Sequence, residues 1–167
     1  MIAEIQPSFS SHLSMSRKIE YQLSKVKEGN GKVLCTSTGD ELAAMPAYMK
    51  LISQLNDRVK LPYAEFILSL YPGESLSDKQ WLSLAGEYIE RMGYGKSCYA
   101  VVLNTDKVHS HVHVLLTTID EEGKSIPSGN NYSRSEKISR ELEQKYGLLP
   151  LEKEGVKRTT FGRVAIP

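Results

Sequence analysis

The sequence predicts an α+β domain in which helices cover a central antiparallel sheet of about five strands. Strand-like and helix-like segments alternate along the 167 residues, and two adjacent strand-like runs are separated by a connection of hairpin length. No glycine-rich phosphate loop follows a strand-like segment, which disfavours a doubly wound nucleotide-binding sheet. We therefore expect no nucleotide cofactor.

The first half of the chain alternates predicted strands with amphipathic helices. Ser10–Lys25 places apolar residues at helical spacing, and Asp40 is a capping residue before apolar positions that recur at helical spacing as far as Leu55. The predicted strands of this half are Met1–Gln6, Lys32–Thr36 and the buried run Tyr63–Tyr71.

The second half contains two predicted helices and a hairpin. Ser77 and Gln80 form a capping-box signature for a helix that ends before Gly93. A last helix covers Ser133–Tyr146, and Gly147 is its predicted stop. The two strands of the predicted hairpin are Ser97–Leu103 and His109–Thr118.

Composition and charge limit the classes of protein to consider. The chain is 40% hydrophobic and 25% charged, which is ordinary for one globular domain, and we assign residues 1–150 to it. Residues 151–167 form a charged tail that we expect to lead into a further region. Apolar runs are far shorter than the roughly 20 residues of a membrane helix, and the two cysteines have no metal spacing. We expect a cytoplasmic protein without membrane attachment.

The formal net charge of +1 predicts no polyanionic partner by itself. Binding to nucleic acid would have to depend on a local basic surface.

Three of the four histidines, His109, His111 and His113, occupy alternate positions of one predicted strand. Alternate residues of a strand share a face, so the imidazoles would lie on one side and the valines between them on the other. Two imidazoles could converge on one divalent ion, with the third in a supporting or substrate-facing position. The alternative is a half-buried strand with a polar outer face.

The segment Asn104–Leu116 resembles the third motif of relaxases, the HUH single-strand endonucleases that begin conjugative mobilisation, and the MobP-like mobilisation proteins in particular. The usual form of that motif is His-x-Asp-x-x-His-x-His-x-His. Other segments resemble relaxase motifs in the right order: Ser8-Phe9 followed by Tyr21 and Lys25, Phe66–Glu74, and Asn130–Leu148.

The resemblance implies sequence-specific nicking of single-stranded DNA at an origin of transfer. A tyrosine oxygen would attack the scissile phosphate, leaving a 5′-phosphotyrosine and a free 3′-hydroxyl. It implies Tyr21 as the nucleophile, and Tyr21 stands among basic residues. A free phenol has a pKa of about 10, so a base or a cationic site must activate it. Asp106 would orient a ligand imidazole or form the hairpin turn.

The resemblance also implies a divalent metal ion as cofactor. Asn104 stands where the family motif has its first histidine, so His111 and His113 need a further ligand from among His109, Asn104 and Glu65. We favour Glu65, because an acidic residue on a neighbouring strand could face the histidines. An oxygen ligand suits Mn²⁺ or Mg²⁺ better than Zn²⁺.

Phosphate contacts are expected from basic residues, and an accessory mobilisation protein is a possible further partner. The competing interpretations are an HUH replication initiator or transposase, and a DNA-binding or metal-binding remnant without catalysis. The candidate DNA contacts are Arg17, Lys18, Lys25, Lys107 and Arg134.

Overall fold

A computed structural model of the chain describes residues 1–105 and 109–150. Within them, five strands form one antiparallel sheet in the order β1-β3-β5-β4-β2, which confirms the predicted fold class. The strands are β1 (Ile2–Ile5), β2 (Gly31–Thr36), β3 (Tyr63–Ser69), β4 (Ser97–Asn104) and β5 (His111–Asp120). The α-helices are α1 (His12–Lys27), α2 (Met45–Ser53), α3 (Asp78–Arg91) and α4 (Asn131–Tyr146).

Helices α3 and α4 cover one face of the sheet. Trp81 and Leu84 of α3 and Leu142 of α4 are fully buried against apolar side chains of the central strands, including Val112 and Val114 of β5. This layer is the larger of the two apolar clusters. It leaves that face of the sheet fully covered along β5.

Helices α1 and α2 cover the opposite face, but only in part. Met15 and Ile19 of α1 and Met45 of α2 pack on Val102 and Leu115. Beyond Leu115, towards the start of β5, the same face carries histidines in place of apolar residues. Polar residues therefore replace the apolar packing of this face at the end of the sheet where β5 begins.

Two of the predicted helix termini are confirmed in detail. Ser77 accepts a hydrogen bond from the Gln80 amide at 3.1 Å while the Gln80 side chain accepts one from the Ser77 amide at 2.9 Å. Gly147 ends α4 in the left-handed conformation with φ +65°, which glycine adopts without steric cost.

Two boundary predictions are wrong. Asp40 does not cap α2, because a 3₁₀ turn over Leu42–Ala44 comes first and the Asp40 carboxylate accepts a hydrogen bond from the Tyr48 hydroxyl. The helix then begins at Met45, with Pro46 in its first turn. His109 lies in the bend before β5 and not on the strand, which begins at His111. None of the helices in the described residues is both long and apolar enough to cross a membrane.

Candidate active site

The candidate site is built on β5, the central strand of the sheet. His111 pairs with Asn104 of β4 and Ser69 of β3, and His113 lies one rung further along the same face. The centroids of these two imidazoles are 5.0 Å apart and their planes are inclined at 68°. The strand therefore holds two imidazoles side by side, as its alternation predicts.

The third histidine lies next to this pair although it is outside the strand. The His109 ring centroid is 6.1 Å from that of His111. The three imidazoles therefore follow one another in a row, with His109 carried by the bend and the other two by β5.

A carboxylate and a lysine fix the orientation of His113. The Nδ1 of His113 donates to Glu65 Oε2 at 2.8 Å, and the Lys18 ammonium donates to Glu65 Oε1 at 2.9 Å. Glu65 is 5% exposed, so its charge needs these partners. The chain Lys18–Glu65–His113 connects helix α1, strand β3 and strand β5.

The protonation of this chain follows from the charges in it. Burial alone would raise the pKa of the Glu65 carboxyl. The hydrogen bond and electrostatic interaction with His113, together with the Lys18 ammonium, outweigh burial and hold that pKa below its ordinary value. An ionised carboxylate can only accept hydrogen bonds, so Nδ1 of His113 is the donor in this bond, and Nε2 is the ring nitrogen that Glu65 does not engage.

Both oxygens of Glu65 are engaged within this chain, one by Lys18 and one by His113, so the carboxylate orients the His113 imidazole. Its role as a third metal ligand stays a prediction. The prediction that Glu65 faces the histidines from a neighbouring strand is right. Lys18, predicted to contact phosphate, neutralises Glu65.

The described residues fit a divalent ion in the kind of donors they offer. In residues 1–105 and 109–150, no group of three or more His, Cys, Asp or Glu side chains is arranged to hold a metal ion. Two adjacent imidazoles, one of them bonded through its second nitrogen to a carboxylate, are nevertheless donors that protein metal sites use.

Tyr21 lies on α1 with its side chain 55% exposed. Neither Tyr21 nor Leu13 of the same helix, which is 58% exposed, packs into the core. The Lys25 ammonium lies 5.3 Å from the centroid of the Tyr21 ring, within the range of a cation–π interaction. Tyr21 thus combines an accessible phenol with an adjacent positive charge.

The residue after Tyr21 attaches α1 to the histidine-bearing hairpin. Gln22 is 3% exposed, and its Oε1 accepts a hydrogen bond from Nδ2 of the buried Asn104 at 2.8 Å. Asn104 is the direct cross-strand partner of His111. The predictions had not included Gln22. Its signal in the sequence was helical spacing, because Met15, Ile19 and Gln22 lie on one side of α1.

Glu4 was also not predicted. Its partner in β3 is Ile67, which pairs in turn with His113, so Glu4 lies on the histidine face. The pKa of the Glu4 carboxyl is raised, mainly by burial and further by the negative charge of Glu65. A hydrogen bond with Gln6 and the interaction with His113 lower this pKa, but they do not outweigh burial. The alternation of Met1–Gln6 was the only sequence signal for this placement.

The predicted DNA contacts separate into two groups. Arg17 is exposed on α1, the helix that carries Tyr21. Arg134 lies on α4, over the opposite face of the sheet, and donates to the Met92 carbonyl at 2.5 Å. This contact gives Arg134 a structural role, and its role as a DNA contact stays a prediction. Asp106 and Lys107 lie outside the described residues, as does the tail 151–167.

Comparison with known proteins bears on the family and the fold. The family model "Relaxase: MobA/VirD2-like, nuclease domain" matches residues 21–148. A Staphylococcus aureus structure, solved in work on the molecular basis of vancomycin resistance transfer, aligns over 93% of this chain and 100% of its own with a TM-score of 0.55. At 14% identity, that likeness shows the fold alone. No curated protein matches the sequence.

The five-stranded sheet and its histidine-bearing hairpin, together with the family match, define a DNA relaxase domain. More narrowly, the chain belongs to the MobA/VirD2-like relaxase nuclease-domain family.

Proposed function

We propose that this domain nicks one DNA strand at an origin of transfer, using Tyr21 as the nucleophile, and so initiates conjugative mobilisation of a plasmid or integrative element. One observation carries the proposal. An exposed phenol stands on helix α1, which is hydrogen-bonded through Lys18 to β3 and through Gln22 to β4. These two strands flank β5, which bears the adjacent imidazoles of His111 and His113.

The reaction is a transesterification. The Tyr21 oxygen attacks the scissile phosphorus, the bond from phosphorus to the 3′ oxygen breaks, and that oxygen takes up a proton and leaves as a 3′-hydroxyl. The phenolic proton passes to a base. The product is a 5′-phosphotyrosine, which keeps the phosphodiester energy in a covalent bond and allows later rejoining of the strand without ATP.

His111 and His113 would hold a divalent ion, with His109 as a possible third imidazole, and the chain Lys18–Glu65–His113 would keep Nε2 of His113 available for it. When bound, such an ion neutralises charge on the scissile phosphate. Mn²⁺ and Mg²⁺ are the ions we propose, and Zn²⁺ would also suit imidazole donors.

The DNA strand would lie over the polar end of the α1/α2 face, next to His111 and His113. Lys25 next to the Tyr21 ring and the exposed Arg17 on the same helix are the proposed phosphate contacts in the described residues. Lys107 and Asp106 belong to the hairpin connection next to His109 in the sequence, and we retain them as a proposed phosphate contact and a proposed orienting carboxylate. An accessory mobilisation protein remains a proposed partner.

The proposal is tested with Mn²⁺ and a single-stranded DNA pool of random sequence labelled at its 3′ end. The wild type should form a covalent protein–DNA adduct that carries the label, and Tyr21→Phe should form none while it binds the pool equally well. Tyr132→Phe is the matched control, because Tyr132 is 74% exposed on α4 over the other face.

Absence of any adduct with the wild type would favour a DNA-binding or metal-binding protein without catalysis, consistent with Asn104 in place of the family histidine. An adduct that survives Tyr21→Phe would assign the nucleophile to another residue.

A further inference from the structure

Helix α1 is joined to the site by two polar contacts that bracket Tyr21 in sequence. Lys18, one turn before Tyr21, reaches Glu65 and through it His113. Gln22, directly after Tyr21, reaches Asn104, which faces His111 across the β4–β5 ladder. Each contact therefore leads from the tyrosine-bearing helix to a residue adjacent to one of the two imidazoles.

The Gln22–Asn104 bond is the more deeply buried of these two polar contacts, because Lys18 is 41% exposed. The neighbouring α1 residues that face the sheet, Met15 and Ile19, make apolar contacts that restrict the helix weakly in rotation and translation. A hydrogen bond between two amides that are 3% and 1% exposed is directional and cannot exchange for water. It fixes the position of residue 22, and hence of residue 21, relative to the rung of His111.

We propose that Gln22 and Asn104 are positioning residues for the cleavage reaction: their hydrogen bond sets the placement of Tyr21 relative to the imidazole pair. The inference rests on the proposed function. It assigns Asn104 a role in holding the nucleophile helix and not in binding the cation.

The variants to test are Gln22→Leu, Asn104→Leu, the double Leu variant, and the exchange of Gln22→Asn with Asn104→Gln. Removal of one amide leaves its partner buried without a bond, whereas replacement of both by apolar groups is close to neutral for stability. Ser135→Ala is the matched control, because it removes a buried hydrogen bond of similar kind, to Tyr88 at 2.7 Å, from the α3/α4 layer.

Four quantities are measured for each variant: the thermal unfolding midpoint, the affinity for the labelled single-stranded pool, the affinity for Mn²⁺, and the rate of adduct formation. Gln22→Leu should slow adduct formation roughly 10- to 100-fold, because a displacement of about 1 Å at a reacting group has effects of that size. Its affinities for DNA and Mn²⁺ should stay unchanged within about twofold.

A positioning role and a merely structural role give different patterns across the set. If the bond positions Tyr21, the double Leu variant regains the unfolding midpoint but stays slow, and the exchange variant regains the rate. If the rate follows the unfolding midpoint in every variant, Ser135→Ala included, the inference is wrong. The inference is also wrong if Gln22→Leu cleaves at the wild-type rate. It is wrong as well if Asn104→Leu loses Mn²⁺ affinity while Gln22→Leu keeps it.

A wild type that forms no adduct would overturn the proposed function and this inference together. A wild type that forms the adduct alongside an equally fast Gln22→Leu variant would overturn only the inference.

Discussion

The two faces of the sheet differ in what covers them, although the same five strands contribute to both. On the α3/α4 face, the even-numbered residues Val112 and Val114 of β5 are completely buried among apolar side chains. On the α1/α2 face, the odd-numbered residues change from Leu115, which is packed under the helices, to His113, which is hydrogen-bonded to Glu65, and His111, whose ring lies against that of His113. The α3/α4 face is apolar along the whole of β5, whereas the α1/α2 face is apolar at one end and polar at the other.

This difference shows how a small domain accommodates a polar site on its central strand. The charge of Glu65 is compensated by Lys18 and His113 on the face that α1 leaves partly open, while the continuous apolar layer behind β5 keeps the strand in place. Substitutions on the α3/α4 face should therefore change the free energy of unfolding. Substitutions on the α1/α2 face, at the histidine end, should change cleavage.

The largest effect on stability is expected on the α3/α4 face at Phe66. Its ring is 1% exposed and makes edge-on contacts with Tyr88 and Tyr94. Phe66→Ala should lower the free energy of unfolding by about 3–5 kcal/mol, measured by chemical denaturation. The adjacent Ile67 points to the other face and is half-buried, so Ile67→Ala should cost only about 1–2 kcal/mol. Equal losses at the two positions would contradict the comparison.

The imidazole pair should show the opposite behaviour. Replacing His111 and His113 together by Ala should lower the rate of adduct formation roughly 10³-fold, because the site for charge neutralisation is lost. The unfolding midpoint should fall only moderately, since Glu65 loses one of its two partners while Val112 and Val114 still fill the other face. A double variant that fails to fold would contradict this expectation, because it would show that the two histidines are required for the fold.

Glu65→Gln should have an intermediate effect. The variant keeps a hydrogen-bond acceptor for His113 but loses the charge that holds the proton on Nδ1, and Mn²⁺ affinity should fall about 10-fold by calorimetry. Glu122→Gln removes a carboxylate paired with Lys96 and Lys124 at the surface and serves as the control. If both variants bind Mn²⁺ as the wild type does, Glu65 has no influence on the imidazole pair.

The smallest effect is expected at His12, at the packed end of the α1/α2 face. Its Nδ1 lies 3.2 Å from the Tyr63 hydroxyl, and burial, followed by the charge of Lys50, lowers its pKa below the usual 6.5. The unfolded chain therefore binds this proton more readily, so stability should decline as the pH falls through 6.5 towards the folded pKa. His12→Gln should flatten that decline in denaturation measured at a series of pH values. An unchanged decline would assign it to other groups.

The fold was predictable because local signals agree with tertiary packing along most of the chain. Three local signals agree with the observed structure. They are the Ser77–Gln80 capping box, the helix stop at Gly147, and the alternation of apolar residues with His111 and His113. The start of α2 was not predictable from Asp40, because its carboxylate is used by Tyr48 and a 3₁₀ turn intervenes.

The site was predictable only in the part that one strand encodes. The spacing of His111 and His113 reveals a shared face, but the contact of Lys18 with Glu65 joins residues 47 positions apart and depends on how α1 crosses the sheet. The same crossing angle decides that Gln22 meets Asn104, 82 positions away. Such partners are set by packing geometry, for which spacing in the sequence carries no signal.

The central place of β5 has a consequence for local opening of the domain. Strand β5 is hydrogen-bonded to β3 on one side and β4 on the other, whereas α1 rests on a smaller apolar cluster. Backbone amides of β5 should therefore exchange with deuterium only on global unfolding, and those of α1 through a lower-energy partial opening. Detachment of that helix would carry the DNA strand attached to Tyr21 away from the imidazoles while the sheet stays intact. The domain could then separate the two ends of the nicked strand without unfolding.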